Sequence, residues 1–101
     1  MQISLSGHHT HPSKRLKEYV EKRFAKLERH FDHISSVHVI FSQVRRGYRA
    51  EATLHASGTE IFADAQAPEP FAAVDALTDK LDRQVVKYKE KISSHRVQSA
   101  S

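Results

Sequence analysis

Tyr48-Arg49-Ala50-Glu51-Ala52-Thr53-Leu54-His55-Ala56-Ser57-Gly58-Thr59-Glu60-Ile61-Phe62-Ala63-Asp64-Ala65 alternates apolar and polar residues on both sides of a Ser-Gly-Thr turn. A period of two is the pattern of a strand with one buried face, and a short glycine-containing break between two such runs predicts a hairpin. Tyr48, Ala50, Ala52, Leu54 and Ala56, then Ile61, Ala63 and Ala65, line its apolar face, while Arg49, Glu51, Thr53 and His55 point the other way. Five of those eight apolar positions are alanine, and a sheet face lined by so small a side chain lets helices lie close to it.

Working outward from the hairpin, Ile34 to Val44 alternates in the same manner, with Val37, Val39 and Phe41 inward and His38, Ile40, Ser42 and Val44 outward, and Arg45-Arg46-Gly47 supplies the turn. Further upstream Gln2 to Ser6 predicts a first strand with Ile3 and Leu5 buried; Gly7 ends it, and His8 to Pro12 is a loop. Ser13 is placed as an N-cap, and Leu16, Val20, Phe24, Leu27 and Phe31 recur at helical spacing until Asp32-His33 marks the exit. Downstream, Ala67-Pro68-Glu69-Pro70 is a stiff link whose second proline starts the last helix. There Val74, Leu77, Leu81, Val85, Tyr88 and Ile92 form an apolar stripe, and Phe71 is expected on the core side with Phe24, Phe31 and Phe41. The pattern stops after Ser93, so residues 94–101 are expected to be a disordered tail. The fold class is α+β: a β-α-β-β-β-α two-layer sandwich, with one four-stranded, mostly antiparallel sheet and both helices on its apolar face. The helix–strand–strand–strand–helix part resembles double-stranded RNA-binding domains, a likeness of fold that carries no function by itself.

At 101 residues the chain is one domain, residues 1–93, with a single core. It has no cysteine, which removes disulfides and thiolate metal sites. No apolar run approaches the roughly 20 residues of a membrane span, and Met1 to Gly7 lacks a basic leader, so the reading is a cytoplasmic protein with no membrane partner. The net charge is +4, and its location is informative. From Lys80 to Arg96 six basic residues face two acidic ones, while the remainder carries ten of each sign.

The charges are sorted by face. On the last helix Lys80, Arg83, Lys87 and Lys91 share one flank and Asp75, Asp79 and Asp82 the other; on the first, Arg15, Lys22, Lys26 and Arg29 share a flank opposed to Glu18, Glu21 and Glu28. Cations repeated at one- or two-turn steps along a rod, about 5 to 10 Å apart, can follow a phosphate backbone. Such contacts position a protein without reading sequence. The acidic flank could be taken for a divalent-ion cluster, but acids early in a helix complement its dipole, and Asp79 can pair with Arg83 one turn on.

Enzyme readings find less support. His8, His9 and His11 share a loop without a cysteine or carboxylate to complete a metal site, and His30 and His33 flank a helix end where imidazole satisfies carbonyls. His55 stands on an outward strand face, where a general base would need an orienting partner and a pocket that the sequence does not name, and no glycine-rich phosphate loop exists among three glycines. Of the aromatic residues only Tyr19, Tyr48 and Phe62 are left as base-stacking surfaces. No small-molecule substrate, metal or cofactor is indicated. The rival readings are a generic double-stranded RNA-binding module and, more remotely, a small histidine-dependent hydrolase or metal-binding protein.

Gly7 after an alternating strand, Lys26-Leu27-Glu28 with Phe31-Asp32, Glu51-Ala52-Thr53-Leu54-His55 with Ser57-Gly58 and Glu60-Ile61, and Ala72-Ala73-Val74-Asp75 with Asp79-Lys80-Leu81-Asp82-Arg83-Gln84 and Lys87, Lys89, Lys91 together resemble the ribosome hibernation promoting factor family, which includes the ribosome-associated inhibitor once called a sigma-54 modulation protein. The resemblance runs from Met1 to about Lys91. It implies a non-enzymatic protein seated in the small ribosomal subunit, in the channel shared by messenger RNA and transfer RNA, where it inhibits translation in stationary phase. It also implies ribosomal RNA contacts at Lys22, Arg23, Lys26, Arg29, Lys80, Arg83, Lys87, Lys89 and Lys91. The chain departs from the family pattern at Ala67-Pro68-Glu69-Pro70-Phe71 and in the basic opening Ser13-Lys14-Arg15-Leu16-Lys17. Ending at Ser101, it resembles the short form, whose relatives assist ribosome pairing together with a ribosome modulation factor.

Overall fold

The computed structural model describes residues 1–29, 33–56 and 58–100, with only the backbone described from Ile92 onward. Its elements run β1 (Gln2–His8), α1 (Lys14–Glu28), β2 (Ile34–Val44), β3 (Gly47–Ala56), β4 (Thr59–Ala67) and α2 (Pro70–Ala100). The sheet order is β1-β2-β3-β4, with β1 parallel to β2 and the other pairs antiparallel. The parallel pair follows from the connection: β1 returns to β2 through α1, a crossover, whereas β2-β3 and β3-β4 are tight hairpins.

The expected alternation holds in register. Ala50, Ala52, Leu54, Ala56, Ile61, Ala63 and Ala65 are buried, and Ala52 pairs with Ala63 on one side and Val39 on the other. Onto this floor pack Leu16, Val20, Phe24 and Leu27 from α1 and Ala73, Val74, Leu77, Leu81 and Val85 from α2, all in one contiguous core. Tyr48 lies stacked on Phe41, ring centroids 5.4 Å apart, and packs against the core from its margin.

Helix ends obey the local chemistry. Ser13 caps α1 by accepting from the Leu16 amide at 3.0 Å, and Pro70 opens α2, whose Ala73 amide donates to Glu69 O at 3.0 Å. Gly7 lies inside β1 instead of ending it, and the strand continues to His8. The following loop folds back so tightly that a Cβ at Gly7 would stand 2.1 Å from Thr10 O, so only glycine fits.

Two expectations need amendment. Phe71 is 37 % exposed, because it occupies the first turn of α2 beyond the end of the core stripe; its ring meets Tyr19 edge-on at 5.2 Å. The backbone of α2 is helical as far as Ala100, and nothing between Phe71 and Ala100 is glycine or proline. α1 closes at Glu28 with Arg29 as its C-cap. The helix-exit positions His30, Phe31 and Asp32, and the turn residue Ser57, lie outside the described residues.

Candidate nucleic-acid interface

α1 and α2 lie side by side over the sheet, and the seam between them is polar. Arg23 projects from α1 and donates to Thr78 Oγ1 from Nη2 at 2.8 Å and from Nε at 3.2 Å. The same guanidinium stands 3.3 Å from Asp75 and 3.4 Å from Asp79. Thr78 is buried, and its hydroxyl in turn donates to Asp75 O at 3.0 Å, so this polar group in the core wall is fully used. Tyr19 O–H donates to the Asp75 carboxylate. That hydrogen bond, then burial and the nearby negative charge, raise the Tyr19 pKa above its ordinary 10.0, with Arg23 opposing.

This network assigns the acidic flank of α2. Asp75 and Asp79 are turned toward α1 and meet Arg23, in place of the Arg83 pairing that helix spacing suggests. Below the network the seam opens into a groove of about 190 Å³ lined by Arg23, Lys26, Leu27, Thr78, Asp79 and Asp82. Among the described residues no group of three or more metal-binding side chains comes together.

With the acids of α2 facing α1, about 100° per residue carries Lys80, Arg83, Lys87 and Lys91 to the opposite side of the helix, above the free edge of β4. Contacts agree with that direction: Lys80 Nζ donates to Asp64 O at 2.7 Å, and Gln84 Nε2 donates to Phe62 O at 3.0 Å. Both carbonyls belong to the edge strand, on the side turned away from β3. Arg83, Lys87 and Lys91 continue the line in solvent.

On α1, Lys22, Lys26 and Arg29 are exposed and lie on the outward side of the helix. The nine sequence-derived cations therefore fall into separate groups. One is Lys22, Lys26 and Arg29 on α1; another is Arg83, Lys87 and Lys91 on α2, with Lys80 at its inner end tied to β4. Lys89 is exposed but lies on the Asp82 flank by helical phase. Arg23 is half-buried, and its guanidinium is committed to α2. The acidic flank runs between the two lines, so they are parallel tracks instead of one patch.

Thr78, Gln84 and Tyr19 are the structural partners that charge counting passes over. Thr78 and Gln84 had a signal: each is a polar residue at the margin of the apolar stripe of α2, one on either side.

Residues 3–93 match the profile of the family described as sigma 54 modulation protein / S30EA ribosomal protein. The chain is 48 % identical over 91 residues to a ribosome hibernation promoting factor of Azotobacter vinelandii, covering 90 % of this chain and 85 % of that one. It is 40 % identical over 95 residues to the ribosome hibernation promoting factor of Escherichia coli, covering 94 % of this chain and 100 % of the other. Among solved structures, a ribosomal subunit interface protein from Coxiella burnetii superposes with a TM-score of 0.85 at 31 % identity, over 89 % of this chain and 99 % of that one. The N-terminal domain of Thermus thermophilus Protein Y superposes with a TM-score of 0.79 at 28 % identity, over 87 % and 99 % of the two chains.

Proposed function

The chain belongs to the sigma 54 modulation protein / S30EA ribosomal protein family, and on that premise we propose that it is a ribosome hibernation factor that binds small-subunit ribosomal RNA in the messenger RNA and transfer RNA channel and inhibits translation in stationary phase. Its relatives are ribosome hibernation factors, which bind the ribosome and are not enzymes. The coarse assignment, ribosome hibernation, rests on relatives 40 % and 48 % identical over nearly the whole chain. The working location is the cytoplasm, where ribosomes are; no described helix is long and apolar enough to cross a membrane.

One observation carries the finer reading: two exposed cation tracks, on α1 and on α2, rigidly spaced by a core and by the Arg23 network. Lys22, Lys26 and Arg29 step three or four residues at a time, as do Arg83, Lys87 and Lys91, roughly 4.5 to 6 Å of helix rise per step. Such steps suit successive phosphates and read no bases. Lys80 and Lys89 add charge at the margins, while Arg23 supports the tracks from between. A ribosome modulation factor acting on the same ribosome is a further partner in this reading, and ribosome pairing a further outcome.

Co-sedimentation with purified ribosomes across a salt series tests it. Expected is tight binding at low salt that weakens steeply as salt rises, because phosphate contacts release counterions. Absence of binding at low salt, or binding indifferent to salt, overturns the mechanism. Equal affinity for any RNA duplex, with no preference for ribosomes, would replace it by a generic duplex-binding module.

A further inference from the structure

The face of the sheet turned away from the helices has its own chemistry. In register across the strands lie Ser4, His38, Thr53 and Phe62, and in the next row Ser6, Ile40, Glu51 and Asp64. Phe62 is 53 % exposed, the most exposed large apolar side chain among the described residues. Its same-face neighbours along β4 are Glu60 and Asp64, and Glu51 lies diagonally across on β3.

Charge on this face opposes that of the helix layer. Arg49 is the one guanidinium among the strand side chains here, and it serves two carboxylates, Glu51 at 2.9 Å and Asp64 at 2.8 Å. Glu60 is 65 % exposed and touches the His55 imidazole at 3.5 Å. Three carboxylates against one guanidinium leave a negative rim around an exposed aromatic ring. Lys80 sits at the far edge on the Asp64 carbonyl, where the basic layer ends. Phosphate would be repelled from this rim, so base stacking on Phe62 is disfavoured.

We propose that the open sheet face, centred on Phe62 and rimmed by Glu51, Glu60 and Asp64, is a docking surface for a Lys- and Arg-rich protein segment that carries an apolar anchor. Charge complementarity selects the occupant: cations meet the carboxylates, and an apolar side chain covers the ring. The proposal rests on the ribosome reading, since a protein held to ribosomal RNA by its helices turns this face toward whatever lines the other side of its site.

The test uses the full chain with p-benzoylphenylalanine in place of Phe62, bound to purified ribosomes and irradiated, beside a second protein carrying the same group in place of Lys22. Expected is a crosslink from position 62 to a Lys- and Arg-rich segment of a ribosomal protein, and one from position 22 to ribosomal RNA. A crosslink from position 62 to RNA, or none there while position 22 reacts, overturns the docking surface and leaves the ribosome reading standing. Silence at both positions overturns both. In parallel, the double variant Phe62→Ser with Glu60→Gln, its fold checked by circular dichroism, is expected to lose about tenfold in affinity for whole ribosomes and none for protein-free ribosomal RNA. Equal loss on both, or loss on neither, overturns the proposal.

Discussion

Arg23 Nη2 on α1 stands 2.8 Å from Thr78 Oγ1 on α2, so a residue that counts as one more cation in the sequence is a clamp between the two helices. Its side chain is 27 % exposed, and it meets two carboxylates as well as the hydroxyl. Arg23→Ala is expected to destabilise the fold by about 1 to 3 kcal/mol, because it leaves Thr78 and Asp75 short of a donor at a partly buried seam. Lys22→Ala, one position away in solvent, is expected to change stability by less than about 0.5 kcal/mol. Urea unfolding of the two variants checks the difference; equal midpoints would remove the clamp role.

Tyr19 supplies a pH readout of the same seam. Its phenol can donate to Asp75 only while protonated, and its pKa is raised above 10.0. A raised folded-state value means that the stability it contributes is complete below the unfolded value and is lost as pH rises through the folded one. Ultraviolet difference titration is expected to show one tyrosine ionising later than the others, and Asp75→Asn is expected to move it back toward 10.0. No displaced tyrosine in the native protein would count against the contact.

Lys87 and Lys91 belong to the solvent part of the α2 track. Lys87→Glu with Lys91→Glu is expected to abolish ribosome binding at moderate salt with the unfolding midpoint unchanged. Single neutral variants such as Lys87→Gln are expected to lower the slope of log affinity against log salt by about 1 each. Binding measured at several salt concentrations decides; an unaltered slope would move the phosphate contact elsewhere.

Lys80 and Gln84 shield an edge strand. With their hydrogen bonds to Asp64 O and Phe62 O removed by Lys80→Met and Gln84→Leu, the outer carbonyls of β4 become available to another chain. The double variant is expected to self-associate in sedimentation velocity at concentrations where the parent does not. Lys80→Met alone is expected to cost less ribosome affinity than Lys87→Met, since its amino group is already engaged.

Much of this is legible in the sequence because it is periodic. The Ala50-Ala52-Leu54-Ala56 and Ile61-Ala63-Ala65 faces, the Ser13 cap and the Pro70 start each follow from a local rule, and each stands where that rule puts it. What stays hidden is pairwise. Helical phase places Asp75 and Asp79 on one flank but does not say which neighbour that flank meets, so Arg23 and Tyr19 as their partners emerge only from the packing. Phe71 is hidden for a related reason: an aromatic at the right phase but one turn too early overhangs the end of the floor. Lys80 reads as solvent charge because sequence shows no edge strand for it to cover.

The alanine floor has a last consequence. With methyl groups at Ala50, Ala52, Ala63 and Ala65 beneath them, the helices settle low, and the smallest Cα extent of the molecule is 18 Å. Under the channel seat proposed above, girth becomes a working dimension in its own right. Leucine at Ala52 keeps every cation and every hydrogen-bond donor, yet it is expected to overfill the layer between sheet and helices and thicken the molecule.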